Sequence, residues 1–110
     1  MFIKEKVLTN FRKVNFLVKF FEDRYGPINN LTPISIDPAD VEGLINRCYL
    51  VLADHSKAKE LLPTMDGFFF GNTEYNDAYF EDVFNVYVYC KEFLMKEFES
   101  GENITFKIWY

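Results

Sequence analysis

The sequence predicts a small α+β domain, with three main helices packed around a minimal sheet that includes a C-terminal strand. Three observations carry that prediction. Apolar residues recur at three- and four-residue steps in three separate stretches, the spacing of helices with one buried face. Residues 103–110 alternate instead, Ile104, Phe106 and Ile108 against Thr105, Lys107 and Trp109, which is the period of a strand. Glycine and proline punctuate these stretches, and no repeat or low-complexity linker divides residues 1–110, so one domain is expected.

The first helix is expected from about Glu5 to Tyr25. Val7, Leu8, Phe11, Val14, Leu17, Val18, Phe21 and Tyr25 share one stripe, and Gly26-Pro27 ends it. Phe16 and Phe20 fall off that stripe, among Arg12, Lys13 and Lys19. Either later segments of the chain cover these two rings, or a second molecule does. Residues 26–37 read as a loop holding the short apolar piece Ile34-Ser35-Ile36.

Asp37-Pro38-Ala39-Asp40 is a helix start, with Asp37 as N-cap, Pro38 at the first helical position and Asp40 in the first turn. Val41, Leu44, Ile45, Cys48, Tyr49 and Leu52 then face one way. A break near His55-Ser56 precedes a short turn that Pro63 stops. Three rings between Gly67 and Gly71 read as a short buried strand or a tight aromatic-lined loop. The third helix runs from about Asn76 to Glu99, with a narrow polar stripe of Glu81, Asn85, Glu92, Lys96 and Glu99. So little polar surface makes it the expected centre of the fold. The tail strand needs a partner, either Phe68–Phe70 in parallel or Ile34–Ile36.

Hydrophobic residues make up 49% of the chain, enough for a core without disulfides or metal. Cys48 and Cys90 fall within helical patterns, which favours buried free thiols. No apolar run approaches the roughly 20 residues of a membrane span. The start lacks a signal peptide's apolar core, so a cytoplasmic protein is expected. The net charge of −5 is unevenly spread: between Lys59 and Lys91 there is no cation, while Glu60, Asp66, Glu74, Asp77, Glu81 and Asp82 are present. That balance argues against direct nucleic-acid binding and for a basic protein partner.

Chemistry-bearing patterns are sparse. His55 has no nucleophile in motif context, and no metal-ligand spacing occurs. Gly67 and Gly71 flank bulky rings that would block a phosphate. Glu81 and Asp82 are adjacent on a helix and diverge, so they do not form a working carboxylate pair. No catalysis, metal or cofactor is therefore expected. The most distinctive polar group joins Arg12, Lys13 and Asn15 with Thr73, Tyr75, Tyr79 and Asp82. It reads either as structural, with Arg12 pairing Asp82 and Asn15 holding the Gly-flanked loop, or as a recognition surface.

The run Leu61-Leu62-Pro63-Thr64, then Gly67-Phe68-Phe69-Phe70-Gly71 and Thr73-Glu74-Tyr75, then Tyr79 through Asp82, resembles a family of small phage and prophage proteins. Phe11, Arg12, Lys13 and Asn15 match the family's helix start, and the aromatic-rich tail also matches. Family members carry His and Trp where this chain has Val18 and Phe20. The resemblance brings no established activity, but it implies a mobile-element product acting inside a bacterial cell. With the acidic, aromatic composition, it leads to a non-enzymatic interaction protein that binds and modulates a bacterial host protein, as an anti-defence or host-takeover inhibitor. The expected binding residues are Arg12, Lys13, Asn15, Phe16, Phe20, Phe69, Phe70, Tyr75, Tyr79 and Asp82, and a homodimer is the second partner considered. The alternative is a small ligand-binding protein or enzyme with a pocket at the Phe68–Tyr79 loop. A deep pocket ringed by Arg12, Tyr75 and Tyr79 would favour the alternative; a flat or convex acidic-aromatic face would favour the interaction protein. DNA mimicry ranks third, because the apolar abundance leaves no regular track of carboxylates.

Overall fold

Strand pairing overrides helical spacing at the start of the chain. Phe2–Lys4 (β1) and Val7–Leu8 (β2) form an antiparallel pair, Ile3 opposite Leu8 and Lys4 opposite Val7. The first helix, α1, therefore spans Asn15–Tyr25 and does not begin near Glu5. The spacing of Val7 and Leu8 suits a helix, but short apolar runs suit strands equally, and a neighbouring strand decides between them. The computed structural model describes residues 2–4, 7–8, 14–27, 34–65, 74–101 and 103–106, with the backbone path alone for 2–4 and 7–8.

β2 has β1 as its neighbour, and β1 in turn pairs with the tail. Ile104–Phe106 (β4) lies between β1 and Ile34–Ile36 (β3) in a four-stranded antiparallel sheet of order β2-β1-β4-β3. Phe106 stands opposite Phe2 on one side and Ile34 on the other, and Ile104 opposite Lys4 and Ile36. Of the two expected partners, Ile34–Ile36 is the one found. The other, Phe68–Phe70, lies outside the described residues, as do residues 107–110 of the expected strand. Ile36, Ile104 and Phe106 are buried, while Ser35 on the alternate face is exposed, so one side of the sheet meets the core.

Helix α1 is the enclosed element. Phe16, Leu17, Val18, Phe20 and Phe21 are all buried. Phe16 and Phe20, expected on a basic far side, are covered by the chain's own later segments. Phe16 meets the Tyr79 ring edge-on at 5.4 Å, and the Arg24 and Arg47 guanidinium groups lie 5.1 Å and 5.4 Å from the Phe20 centroid. Cations can roof this ring because its face carries partial negative charge. Phe21 stacks on Phe106 at 4.5 Å and so joins α1 to the sheet.

Helix α2 (Pro38–Ala53) starts as the sequence indicates. Asp37 Oδ1 accepts from the Asp40 amide, and Asp40 Oδ2 accepts from the Asp37 amide, a reciprocal capping box. Asp40 does more than cap. Arg24 Nε donates to its Oδ1 at 2.7 Å, and the Tyr25 hydroxyl donates to its Oδ2. One buried carboxylate thus fastens the C-terminal end of α1 to the N-terminal end of α2. Burial alone would raise its pKa, but the hydrogen bonds from Tyr25, Arg24 and the Asp37 amide outweigh burial and hold it below the ordinary value.

The break at His55 is present. Asp54 caps a 3₁₀ turn, His55–Lys57, that leads into the short α3 (Ala58–Leu61). Asn76 caps α4 (Asp77–Tyr89) through its Oδ1 and the Tyr79 amide. A π-helical turn, Cys90–Leu94, then carries the helix into α5 (Met95–Glu99). Nothing in the sequence pattern announces that turn. Val86, Cys90 and Leu94 are all buried on one side of this helix.

Val83, Cys90 and Leu94 are buried as expected, but this helix is not the centre, because Phe84 and Phe93 are 54% and 57% exposed. Tyr49 on α2, expected on one face with Val41, Leu44 and Cys48, is also 57% exposed. Both cysteines are free and buried, and burial pushes the Cys48 thiol up to about 12, leaving it unreactive.

Two measurements check this architecture. Deleting residues 103–110 removes the strand between β1 and β3 together with two core side chains, so cooperative thermal unfolding should be lost; an unchanged midpoint would refute the sheet order. Asp40→Asn should cost about 2 kcal/mol at neutral pH. Because the folded pKa is depressed, the carboxylate's contribution is complete above about pH 4 and lost as pH falls through the folded value. The difference between wild type and variant in urea titrations should therefore shrink below about pH 4.

Candidate functional site

Of the ten expected binding residues, Arg12, Lys13, Phe69 and Phe70 lie outside the described residues, and so does the expected Arg12–Asp82 pair. Phe20 stands apart under its two arginines, while Asn15, Phe16, Tyr75, Tyr79 and Asp82 gather where the start of α1 meets residues 62–65 and the start of α4.

Asn15 is buried at the first position of α1. Its Nδ2 donates to the Met65 carbonyl at 2.7 Å, and the Met65 amide donates to its Oδ1 at 2.6 Å. Both halves of one side-chain amide are thus spent on one backbone residue, next in sequence to the Gly67–Gly71 segment. The tyrosines do similar work. Tyr79 donates its hydroxyl to the Leu62 carbonyl at 2.7 Å, and the Tyr75 hydroxyl accepts from the Thr64 amide at 3.1 Å. Burial raises the Tyr79 hydroxyl well above its ordinary value, so it remains a neutral donor. These contacts favour the structural reading of the polar group: the side chains anchor residues 62–65 between α1 and α4.

A cavity of about 50 Å³ remains among Asn15, Thr64, Glu74, Asn76, Tyr79 and Asp82. Ligand pockets run to about 300 Å³ or more, whereas this space holds one or two waters at about 30 Å³ each. Burial, and then the neighbouring Glu81 charge, raise the Asp82 carboxyl. Glu81 itself is exposed while Asp82 is half-buried, as their divergence on a helix requires. Among the described residues no group of three or more His, Cys, Asp or Glu could hold a metal ion, and no helix is long and apolar enough to cross a membrane.

A second candidate was missed from sequence. Helices α2 and α4 pack directly against each other, and their ring contacts run antiparallel. His55 stacks on Phe80 at 3.7 Å at one end, and Tyr49 meets Tyr87 at 6.5 Å further along. Exposed Phe84 lies between Phe80 and Tyr87 on the same side of α4. Lys91 closes the row, its Nζ 5.5 Å from the Tyr87 centroid. Glu42 on α2 and Asp77 and Glu81 on α4 are also exposed. The signal was present in the sequence: Phe80, Phe84, Tyr87 and Lys91 recur at steps of three and four. In so apolar a helix, spacing alone does not separate them from the buried Val83, Val86 and Cys90 beside them.

No family model, curated protein or solved structure matches the chain. Its surfaces must speak for themselves.

Asn15 provides the sharpest check on the first candidate. Asn15→Ala should destabilise by about 2 kcal/mol, since it strands two backbone groups of Met65. Asn15→Asp keeps the acceptor but sets a carboxylate against the Met65 carbonyl. Its thermal midpoint should rise toward wild type as pH is lowered and the new acid protonates into a donor. A pH-independent midpoint difference would show that the clamp is not formed.

Proposed function

We propose that this is a non-enzymatic interaction protein of phage or prophage origin that binds a bacterial protein in the host cytoplasm and alters its activity, as an anti-defence or host-takeover inhibitor. The observation that carries the reading is the α2/α4 seam, where the Tyr49 and Phe84 rings stand in solvent. Exposed aromatic surface costs about 25 cal/mol per Å² in water, free energy that a partner recovers by covering it. Aromatic anchors inside a charged rim are the usual anatomy of a binding surface, in which the rings supply affinity and the charges steer approach. The alternative, a ligand pocket at the Phe68–Tyr79 loop, falls in large part outside the described residues, over residues 68–73. The phage or prophage setting rests on the resemblance of the Leu61–Asp82 motif. Inhibition would follow from occlusion of whatever the bound host surface contacts.

The test is capture from bacterial lysate with tagged wild type and the Tyr49→Ser/Phe84→Ser double variant, followed by mass spectrometry. Both positions are exposed, so the variant should keep its thermal midpoint. A specific host protein should be retained by wild type and lost from the variant. Equal retention by both, or no specific protein with either, would count against the proposal.

A further inference from the structure

Going beyond that reading, we infer that in the free protein α4 pairs with the same helix of a second copy, antiparallel and about a two-fold axis at Phe84. Asp77, Phe84 and Lys91 follow one another at seven-residue steps, and all three are exposed. Seven residues carry a helix to within about 20° of two full turns, so the three lie along one face of α4 and its continuation. The ring at the middle of this line is 54% exposed. A carboxylate stands seven residues before it and an ammonium seven residues after it. Among the described residues neither Asp77 nor Lys91 has an ion-pair partner. Lys91 meets only the Tyr87 ring and, at 3.4 Å, its hydroxyl.

This line is its own complement. Laid antiparallel on its duplicate with Phe84 against Phe84, the helix brings Asp77 level with Lys91 of the second copy, and the pair forms twice. Glu81 comes level with Tyr87 of the second copy. The two Glu81 carboxylates stay about 9 Å apart along the axes, at 1.5 Å per residue. A parallel arrangement would set Asp77 on Asp77 and Lys91 on Lys91, so the charges select one direction. Any other helix would need its own acid, ring and base at the same spacing, a pattern this chain already carries.

Sedimentation velocity on the full chain at low salt tests the pairing. Wild type should pass from monomer to dimer between roughly 1 μM and 1 mM, the range of a small interface. Phe84→Ser should weaken association roughly tenfold. Asp77→Lys and Lys91→Glu should each weaken it roughly tenfold, and the double variant Asp77→Lys/Lys91→Glu should restore it. Within one chain these two positions stand about 21 Å apart along the helix, so only pairing between chains yields the rescue. All three positions are exposed, and the circular dichroism spectrum should not change. Wild type that stays monomeric up to about 1 mM, a dimer indifferent to Phe84→Ser, or a double variant no better than its singles would overturn the inference. If a host protein is captured while wild type stays monomeric, this inference falls and the broader function stands. If the charge swap restores a dimer and no host protein is retained, the dimer stands and the broader function falls.

Discussion

The structure depends on the enclosure of one short helix, α1, from nearly every side. Its rings reach in different directions: Phe16 to α4, Phe20 to the arginines of α1 and α2, and Phe21 to the central strand of the sheet. Its solvent face is the narrow stripe of Lys19, Glu22 and Asp23, so its orientation rests on more than an amphipathic division. Polar contacts at its two ends supply the missing specification. Asn15 fixes the first residue to Met65, and Arg24 with Tyr25 fixes the last turn to Asp40. Buried hydrogen bonds tolerate little displacement, so these two anchors hold the helix in register while the rings supply most of the burial.

This division of labour explains what could be read from the sequence. The start of α2 was legible because Asp37, Pro38 and Asp40 act through local hydrogen bonds and a fixed backbone angle, which need no tertiary context. The break at His55, the buried free cysteines and the core positions Val83, Cys90 and Leu94 were legible for similar reasons. The β1–β2 pair was not, since its identity depends on β4 from the far end of the chain. Phe16 and Phe20 fall off the main stripe because periodicity assumes one buried face, and α1 is buried on several. Of the two coverings expected, the chain's own later segments are the one found. The π-helical turn at Cys90–Leu94 left no mark in composition.

The candidate sites divide along the same line. Asn15, Tyr75 and Tyr79 stood out as an unusual cluster of polar and aromatic groups, and they are brought together, but their hydrogen-bonding atoms are turned inward to backbone partners. Tyr49 and Phe84 did not stand out among so many rings. The core surrounding α1 is completed by other side chains, and these two remain at the surface. In a chain this rich in aromatics, residue type says little about burial, and only the packing separates rings that hold the fold from rings left for a partner.

The position of β4 has a consequence for how the protein comes into being. Phe106 pairs with Phe2, so the sheet closes a loop that spans nearly the whole described chain. During synthesis α2 and α4 can meet as soon as both have emerged, since their contacts are close in sequence. The sheet must wait until residues 104–106 have left the ribosome, and until then β1 and β3 have no strand between them. Loop closure over such a separation slows the final step relative to helix pairing. Until residues 104–106 are available to the sheet, the apolar side of Phe21 lacks the Phe106 ring that covers it.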